Sequence, residues 1–348
     1  MSIILRIGFL LLAIALASFA IGYRWLDVQM HTPMPFKEPF KIELKRGQNI
    51  QHVASQLESL GALTQTRPFV FYARYMDVAH KIKAGEYNFD SVTTPHDLLM
   101  TLVDGDVVQH SLTLVEGLTA KDYLRYLKEI ETLVVTDGDK ALLDDPDKLM
   151  AHLNKPGVHP EGQFFPDTYF YTKGESAIEI LQRSHKRLHE VLTEEWEQRM
   201  KDLPYETPYE ALIMASIIEK ETGVESERAE IAGVFVRRLR KGMRLQTDPT
   251  VIYGLGDKYQ GNIKRVHLKQ KTDYNTYVIF GLPPTPIANV GREAIHAALH
   301  PADGKTLYFV AKGDGSHVFS ETLEAHNRAV REYQLKRRSD YRSAPKAE

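Results

Sequence analysis

Two glutamates close the most apolar helix that the sequence predicts. In the stretch "ASIIEKET" (215–222), Glu219 and Glu221 directly follow an apolar run from Ala211 to Ile218. Apolar residues cover nearly the whole circumference of this helix, and such a helix is buried. A carboxyl group at its end loses hydration, which raises the pKa and favours the protonated form. A protonated carboxyl is what general acid catalysis requires, above all in glycosidic bond cleavage.

The start of this helix is specified by its local sequence. Thr207 is a natural N-cap, Pro208 fits the first helical position, and Glu210 completes a capping box with Thr207. Because helical side chains lean toward the N-terminus, Glu219 lies over small residues one turn back, which leaves room beside its carboxylate. Glu221 points in another direction.

A purely structural interpretation of the two acids stays open. The helix could leave the core at Glu219, with both acids in water or paired with the arginines at positions 237, 238 and 240. A second apolar helix follows soon after, however, and Gly223 breaks the chain between the two. The sequence therefore predicts a junction, with Glu219 as the catalytic acid. Glu221 is the runner-up, and a surface ion pair is favoured for it.

Polar and aromatic residues further along the chain predict a sugar-binding surface. The motifs "QTDPTVIYG" (246–254) and "YNTY" (274–277) and a proline-rich loop (281–291) supply hydroxyls, amides and aromatic faces for sugar rings. Tyrosines can equally be core residues, and for Asp248, which precedes Pro249, an Asx turn or an N-cap is favoured. The candidate substrate-binding residues are Gln246, Thr247, Asp248, Tyr253, Tyr274, Asn275, Tyr277, Asn289 and Glu221.

Composition excludes some classes of protein. The formal net charge of the 348-residue chain is −2, which argues against a nucleic-acid binder, and the chain has no cysteine, which excludes disulfides and thiolate sites. The histidines His296 and His300, four apart, could bind a metal, but Pro301 ends their helix at once. No metal site and no cofactor are predicted.

The N-terminus predicts a membrane segment. Residues 7–23 carry no charge and are flanked by Arg6 and Arg24, and about 17–25 apolar residues suffice to span a bilayer as a helix. A cleaved signal peptide, with "SFA" (18–20) as its cleavage site, is the alternative. A retained anchor is favoured, because the apolar run continues past that site. Charge leans weakly to a cytoplasmic N-terminus.

The remaining chain predicts an α+β fold. Alternating and helical periodicities give the order strand, helix, helix, strand over residues 40–89, and a larger α+β domain follows. A helix is predicted from Ser176 to Asp202, and residues 159–174 read as an ordered loop. The predicted parts are a cytoplasmic N-terminus and anchor (1–30), a linker (31–39), a small βααβ module (40–115), a catalytic domain (116–335) and a disordered tail (336–348).

Long motifs in order resemble the endolytic murein transglycosylases, the YceG-like or MltG family. "EGQFFPDTYFY" (161–171), "ASIIEKET", "RLRKGMRLQTDPTVIYGLG" (238–256), "YNTY", "GLPPTPIANVG" (281–291) and "LYFVAKGDGSHVFSETLEAHN" (307–327) carry the resemblance, which covers nearly the whole chain. Thr285 and Val290 stand where this family commonly has glycine and proline.

The resemblance implies a single-pass protein of the bacterial inner membrane with its catalytic part in the periplasm. It implies a lyase that cuts the MurNAc–GlcNAc bond of nascent peptidoglycan strands, forms 1,6-anhydroMurNAc ends and terminates elongation. It assigns the catalysis to Glu219 and implies that the βααβ module is LysM-like and holds glycan. Penicillin-binding synthases are the expected protein partners. Two alternatives stay open: a non-catalytic anchored scaffold, and a peptidoglycan hydrolase with Asp248 or Glu221 as its second carboxylate.

Overall fold

The computed structural model describes residues 3–34, 39–89 and 94–335, which combine helices and short strands. This confirms the prediction of a mixed helix-and-strand fold. The chain divides into two compact units. The first comprises residues 1–111 with the short segments 132–134 and 170–175, and the second comprises the rest. Part of the predicted linker (35–38) and the predicted tail (336–348) lie outside the described residues.

The first unit begins with a long apolar helix, α1 (Ile3–His31). Its segment from Leu5 to His31 is long and apolar enough to cross a membrane, with a mean hydropathy of 2.2. The last turns of α1 differ from the rest, because Leu26 and Met30 are buried in the core of this unit. The helix is therefore continuous from the apolar segment into the folded unit.

The predicted βααβ order is confirmed, and one more helix follows it. The elements are β1 (Phe40–Leu44), α2 (Ile50–Ser59), α3 (Thr66–Tyr75), β2 (Gly85–Phe89) and α4 (Pro95–Asp104). Strands β1 and β2 pair antiparallel, with Phe40 opposite Phe89 and Leu44 opposite Gly85. Alternate residues of both strands are buried, which accounts for the period of two in the sequence.

Two further strand pairs complete the described sheets. β3 (Gln109–Thr113) pairs with β4 (Thr168–Thr172), and β5 (Tyr308–Ala311) pairs antiparallel with β6 (His317–Ser320). The prediction that residues 159–174 form a loop is wrong at its end, which is strand β4. Alternate residues of β4, Tyr169 and Tyr171, are buried, so the strand periodicity was present within the aromatic-rich motif.

The second unit is largely helical. Its helices are α5 (Ala120–Lys128), α6 (Asp137–Leu143), α7 (Pro146–His152), α8 (Ala177–Glu197), α9 (Pro208–Glu221), α10 (Arg228–Arg240), α11 (Asp248–Leu255), α12 (Arg265–Lys269), α13 (Arg292–Leu299) and α14 (Leu323–Val330). Helix α8 ends at Glu197, five residues before the predicted end. Helix α9 is central, because α8, α10, α11 and α13 all pack against it.

Candidate active site

Helix α9 carries the two glutamates at its C-terminal end, as predicted. Thr207 accepts the Glu210 N–H and the Glu210 carboxylate accepts the Thr207 N–H, so the capping box is present. Every residue from Ala211 to Ile218 is buried, because neighbouring helices cover α9 on all sides. The helix therefore delivers the carboxyl groups of its last turn to the edge of the core.

Glu219 is held at that edge with little exposure to water. Its side chain is 7% exposed, and an Arg228 guanidinium nitrogen lies 4.0 Å from Oε1. The Gly291 N–H, at the N-terminus of α13, donates to Oε2 at 3.4 Å. Burial raises the pKa of Glu219, the Glu116 carboxylate raises it further, and Arg228 opposes both. The group holds its proton at a higher pH than an ordinary glutamate does.

Glu116 is a second carboxylate at this position, and the sequence did not single it out. A Cβ placed on Gly291 would lie only 1.9 Å from Glu116 Oε1, so this oxygen rests directly on the glycine that also donates to Glu219. Gly117 keeps the segment after β3 close, because its carbonyl accepts Lys220 Nζ at 3.0 Å. Two acids 103 positions apart thus meet around Gly291. In the sequence, the only local feature that could have pointed to Glu116 was a glutamate–glycine pair directly after a predicted strand.

Asn289 secures this arrangement. It is fully buried, its Oδ1 accepts the Phe164 N–H at 3.2 Å, and its Nδ2 donates to the Leu118 carbonyl at 3.1 Å. Its own backbone exchanges hydrogen bonds with Gly117 and Leu118. The amide proposed from sequence as a sugar contact is therefore used to tie three segments of the second unit together.

The Arg228 side chain has an N–H group that is available to a bound molecule. Its Nε is buried and makes no hydrogen bond to any residue that the structure describes. The side chain lines a cleft of about 590 Å³ together with Glu225, Ser226, Glu293 and His296. A buried donor without a partner is costly, so this nitrogen is suited to an acceptor group of a bound molecule.

Glu221 lies in a different polar cluster. The prediction of a surface ion pair is wrong, because the Glu221 carboxylate accepts the Thr247 hydroxyl instead. Burial raises the pKa of Glu221 to about 7, with a smaller contribution from the Asp248 charge. The Tyr277 hydroxyl donates to Asp248 at 2.6 Å. Four residues predicted from sequence are thus brought together, away from the Glu219–Gly291 contact.

Asp248 is helical, contrary to the expectation drawn from the proline that follows it. Helix α11 begins at Asp248, Thr247 is the N-cap, and no side chain caps this end. Pro249 is tolerated because the first turn of a helix needs no donor from its backbone nitrogen. The predicted Asx turn or N-cap role for Asp248 is therefore wrong, and its side chain is engaged by Tyr277.

Gln246 and Asn275 make bonds within the chain. Gln246 adopts a positive φ of 54° and its N–H donates to the Thr276 carbonyl at 3.1 Å. Asn275 is 1% exposed and donates to the carbonyls of His267 and Gln270 at 3.0 and 2.7 Å. The Gln246 backbone and the Asn275 side chain thus hold the loop that carries the "YNTY" motif.

Glu161 anchors a third polar cluster. It is 3% exposed, Oε1 accepts the Ala120 N–H at 2.9 Å, and Oε2 accepts the Tyr253 hydroxyl at 3.1 Å. Burial raises the pKa of Glu161 to about 7, against the effect of these hydrogen bonds. Tyr253 packs against Tyr274, whose hydroxyl bonds to Thr285 at 2.8 Å. The threonine at the position where glycine is common therefore has a specific partner.

His296 on α13 and His300, the C-cap of that helix, have a third neighbour that the sequence did not reveal. Potential ligand atoms of Glu195, His296 and His300 lie within 4.8 Å of one another. Glu195 already accepts Arg292 at 2.7 Å and contacts His296 Nδ1 at 2.8 Å. The carboxylate is thus committed to an ion-pair network in this structure.

Comparison with known proteins now decides the family. The model of the YceG-like family matches residues 42–332. The chain belongs to the YceG-like family. Among curated relatives, an endolytic murein transglycosylase of Bacillus subtilis is 31% identical over 312 residues, with 85% of each chain covered. One from Streptococcus pneumoniae is 26% identical and covers 92% of this chain, which spans 63% of that relative's length. A solved YceG-like protein from Listeria monocytogenes is 30% identical, covers 84% of this chain and 99% of its own, and superposes with a TM-score of 0.47.

The chemistry available to this YceG-like chain follows from its Glu219 site. A desolvated carboxyl group can donate a proton, and Arg228 and the Gly291 N–H can then stabilise the carboxylate that forms. The second carboxylate, Glu116, adjusts the proton affinity of the first. The geometry is suited to general acid catalysis, in which the acid protonates the leaving-group oxygen as its bond breaks.

Proposed function

We propose that this chain is an endolytic peptidoglycan lytic transglycosylase with Glu219 as its catalytic acid. The observation that carries the proposal is the Glu219 carboxyl, 7% exposed at the end of a buried helix, with a pKa raised by burial and by Glu116. The curated relatives that cover most of this chain bear the name endolytic murein transglycosylase, which supports murein as the substrate.

The proposed mechanism needs one carboxyl group in two roles. Glu219 protonates the glycosidic oxygen between MurNAc and GlcNAc, and the C1–O bond breaks. The resulting carboxylate accepts the proton of the muramic acid C6 hydroxyl while that oxygen bonds to C1. The product is a 1,6-anhydroMurNAc end, Glu219 regains its proton, and no water is consumed. Arg228 and the Gly291 N–H stabilise the carboxylate between the two steps.

The setting of the reaction is part of the same proposal. Helix α1 is proposed as a retained inner-membrane anchor that places both units in the periplasm, supported by the length and hydropathy of its apolar segment. The βααβ module is proposed to be LysM-like and to hold the glycan, supported by its element order. Penicillin-binding synthases that extrude nascent strands are the proposed partners.

The test is the chemistry of the new ends. The full chain in detergent micelles is incubated with purified glycan strands, and the products are weighed by mass spectrometry. We expect ends one water lighter than a reducing sugar, and a loss of about 10²–10⁴-fold in rate for Glu219→Gln. Glu206→Gln, an exposed position just before α9, is the matched control and retains activity. A Glu219→Gln protein that cleaves at the wild-type rate contradicts the assignment.

A hydrolase is the one alternative that an observation favours. Glycoside hydrolysis uses two carboxyl groups. The Glu116 carboxylate lies against Gly291, whose N–H donates to Glu219. In contrast, Glu221 and Asp248 are engaged by the hydroxyls of Thr247 and Tyr277. Incubation in ¹⁸O water separates the two reactions. Reducing ends that carry the label indicate hydrolysis with Glu116 as the second carboxyl, and unlabelled anhydro ends indicate transglycosylation. Binding without cleavage favours the scaffold.

A further inference from the structure

The first unit contains an apolar groove between α1 and α3 that the proposed reaction does not use. Its volume is about 570 Å³, which falls within the range of small-molecule sites. Its walls are mostly aromatic and apolar. The main lining residues are Phe19, Tyr23, Trp25, Pro68, Phe71 and Tyr75.

Helix α3 is apolar on two opposite faces. One face packs into the core of the first unit through Phe69 and Val70. The other carries Phe71 and Tyr75, which are 61% and 57% exposed. Arg67, Phe71 and Tyr75 are spaced four apart and share this outer face. Adjacent exposed aromatic side chains of this kind mark an interaction surface.

The position of α1 indicates what meets that face. The uncharged residues 7–23 span about 25 Å as a helix, close to the roughly 30 Å hydrocarbon thickness of a bilayer. Tyr23 therefore falls at the boundary between hydrocarbon and headgroups, where tyrosine and tryptophan are enriched. The ring of Tyr23 lies 6.2 Å from that of Tyr75. The groove opens at the same depth as the membrane surface.

The charged residues near the groove agree with a position at the membrane surface. Arg24 on α1 and Arg67 and Arg74 on α3 are all exposed. Arginine next to an apolar surface places its stem on that surface and its guanidinium among phosphates. The groove thus combines an aromatic lining with cationic side chains beside it, as the acyl chain and the phosphate of one lipid require.

We infer that the groove between α1 and α3 binds a phospholipid of the membrane that α1 spans, with an acyl chain against Phe71 and Tyr75 and the phosphate near Arg67. The inference rests on the proposed membrane anchor. It makes the first unit a membrane-surface module: the outer face of α3 lies in the headgroup layer, and α1 enters the module as one continuous helix.

The absence of cysteine makes the test direct, because any single introduced thiol is labelled alone. The full chain is reconstituted in nanodiscs as Phe71→Cys, Tyr75→Cys, Gln51→Cys or Leu12→Cys and labelled with a fluorophore. Gln51 is exposed on α2 outside the groove, and Leu12 lies within the apolar part of α1. Quenching by iodide reports the exposure of the label to water. Quenching by nitroxide lipids reports its proximity to acyl chains or headgroups, according to where the nitroxide is attached. Since Phe71 and Tyr75 are exposed, their replacement leaves the core intact.

We expect labels at positions 71 and 75 to be quenched several-fold more by lipids with a nitroxide on the acyl chain near the headgroup, and several-fold less by iodide, than the label at position 51. Equal iodide quenching at positions 71 and 51, with position 12 shielded and quenched by acyl-chain nitroxides, overturns the groove inference and leaves the anchor standing. A label at position 12 that is open to iodide overturns the anchor itself. Shielding at position 71 that increases with protein density, without nitroxide quenching, assigns the groove to a second copy of the chain and also overturns the inference.

Discussion

At the scale of single residues, two charges of opposite sign act on Glu219. The Glu116 carboxylate raises the pKa of Glu219 and the Arg228 guanidinium lowers it. Glu116→Gln therefore lowers the pKa of Glu219, the proposed catalytic acid, so that it loses its proton at a lower pH. We expect the alkaline limb of the kcat/KM profile to move to lower pH in Glu116→Gln and to higher pH in Arg228→Gln. The measurement is the pH dependence of glycan cleavage.

The pair of variants contains its own control. A defect in folding or in substrate binding lowers the rate at every pH and leaves the limb in place, whereas a change of charge moves it. Glu206→Gln, exposed and outside the site, is expected to keep the wild-type profile. Limbs that move in the same direction in Glu116→Gln and Arg228→Gln contradict the electrostatic explanation.

The raised pKa of Glu161 predicts that the free energy of unfolding depends on pH. Its pKa is raised from 4.5 to about 7 in the folded protein. The folded state therefore binds the proton more tightly, and the free energy of unfolding falls as the pH rises from about 4.5 to 7. One pKa unit corresponds to about 1.4 kcal/mol, so the loss is about 2–4 kcal/mol. Glutamine does not titrate, and Glu161→Gln removes this loss.

Urea denaturation at pH 4.5 and pH 8 measures the effect. We expect Glu161→Gln to gain stability relative to the wild type as the pH rises, with the difference developing between these values. Trp196 in a Trp25→Phe background reports the second unit alone, since the chain has two tryptophans. A difference that stays constant with pH contradicts the raised pKa.

At the scale of elements, the meeting of α9 and α13 at Gly291 leaves little room for added volume. Gly291 has ordinary backbone angles, φ −76° and ψ 169°, but a Cβ would lie 1.9 Å from Glu116 Oε1. We expect Gly291→Ala to displace Glu116 or the start of α13, and to reduce cleavage about tenfold or more through misplacement of the Gly291 N–H. Cleavage rate and thermal unfolding are measured together.

Gly138→Ala is the matched substitution for comparison. Gly138 lies in α6, and its Cβ would lie 3.6 Å from the hydroxyl of Thr136, the N-cap of that helix. This is an ordinary contact, and full activity is expected. The double variant Gly291→Ala with Glu116→Ala tests the cause. It recovers thermal stability if the clash with Glu116 is responsible, and a double variant no more stable than Gly291→Ala alone contradicts the steric account.

The elements show what sequence can predict. Helix α9 was predicted with its capping box, because cap residues and an all-round apolar run are local signals. Strand β4 was missed, since its residues lie in a segment dense in glycine, proline and aromatics. Glu116, Arg228 and Glu161 were missed for another reason. Each acquires its role only from contacts with distant segments, on which periodicity carries no information.

At the scale of the whole molecule, the described part of the chain contains two hydrophobic cores. One contains Leu26 and Met30 of α1 together with residues of the βααβ module, and the other surrounds α9. The order of these parts followed from the sequence, but the contribution of α1 to a core did not. An apolar helix near the N-terminus predicts a membrane segment, whereas burial of its last turns depends on which helices it meets.

Substitutions in α1 can measure its contribution to the core of the first unit. Met30 is 3% exposed in the core of the first unit, and Val28 on the same helix is 47% exposed. Met30→Ala should destabilise the first unit by about 2–5 kcal/mol through the cavity it leaves, and Val28→Ala should cost far less. Single-tryptophan variants measure this in micelles, because Trp25 reports the first unit and Trp196 the second. We expect Met30→Ala to shift the Trp25 transition and to leave the Trp196 transition in place. Equal, small effects of both substitutions would mean that α1 adds little to the stability of the first unit, whereas the expected difference makes this proposed anchor helix an integral part of the fold.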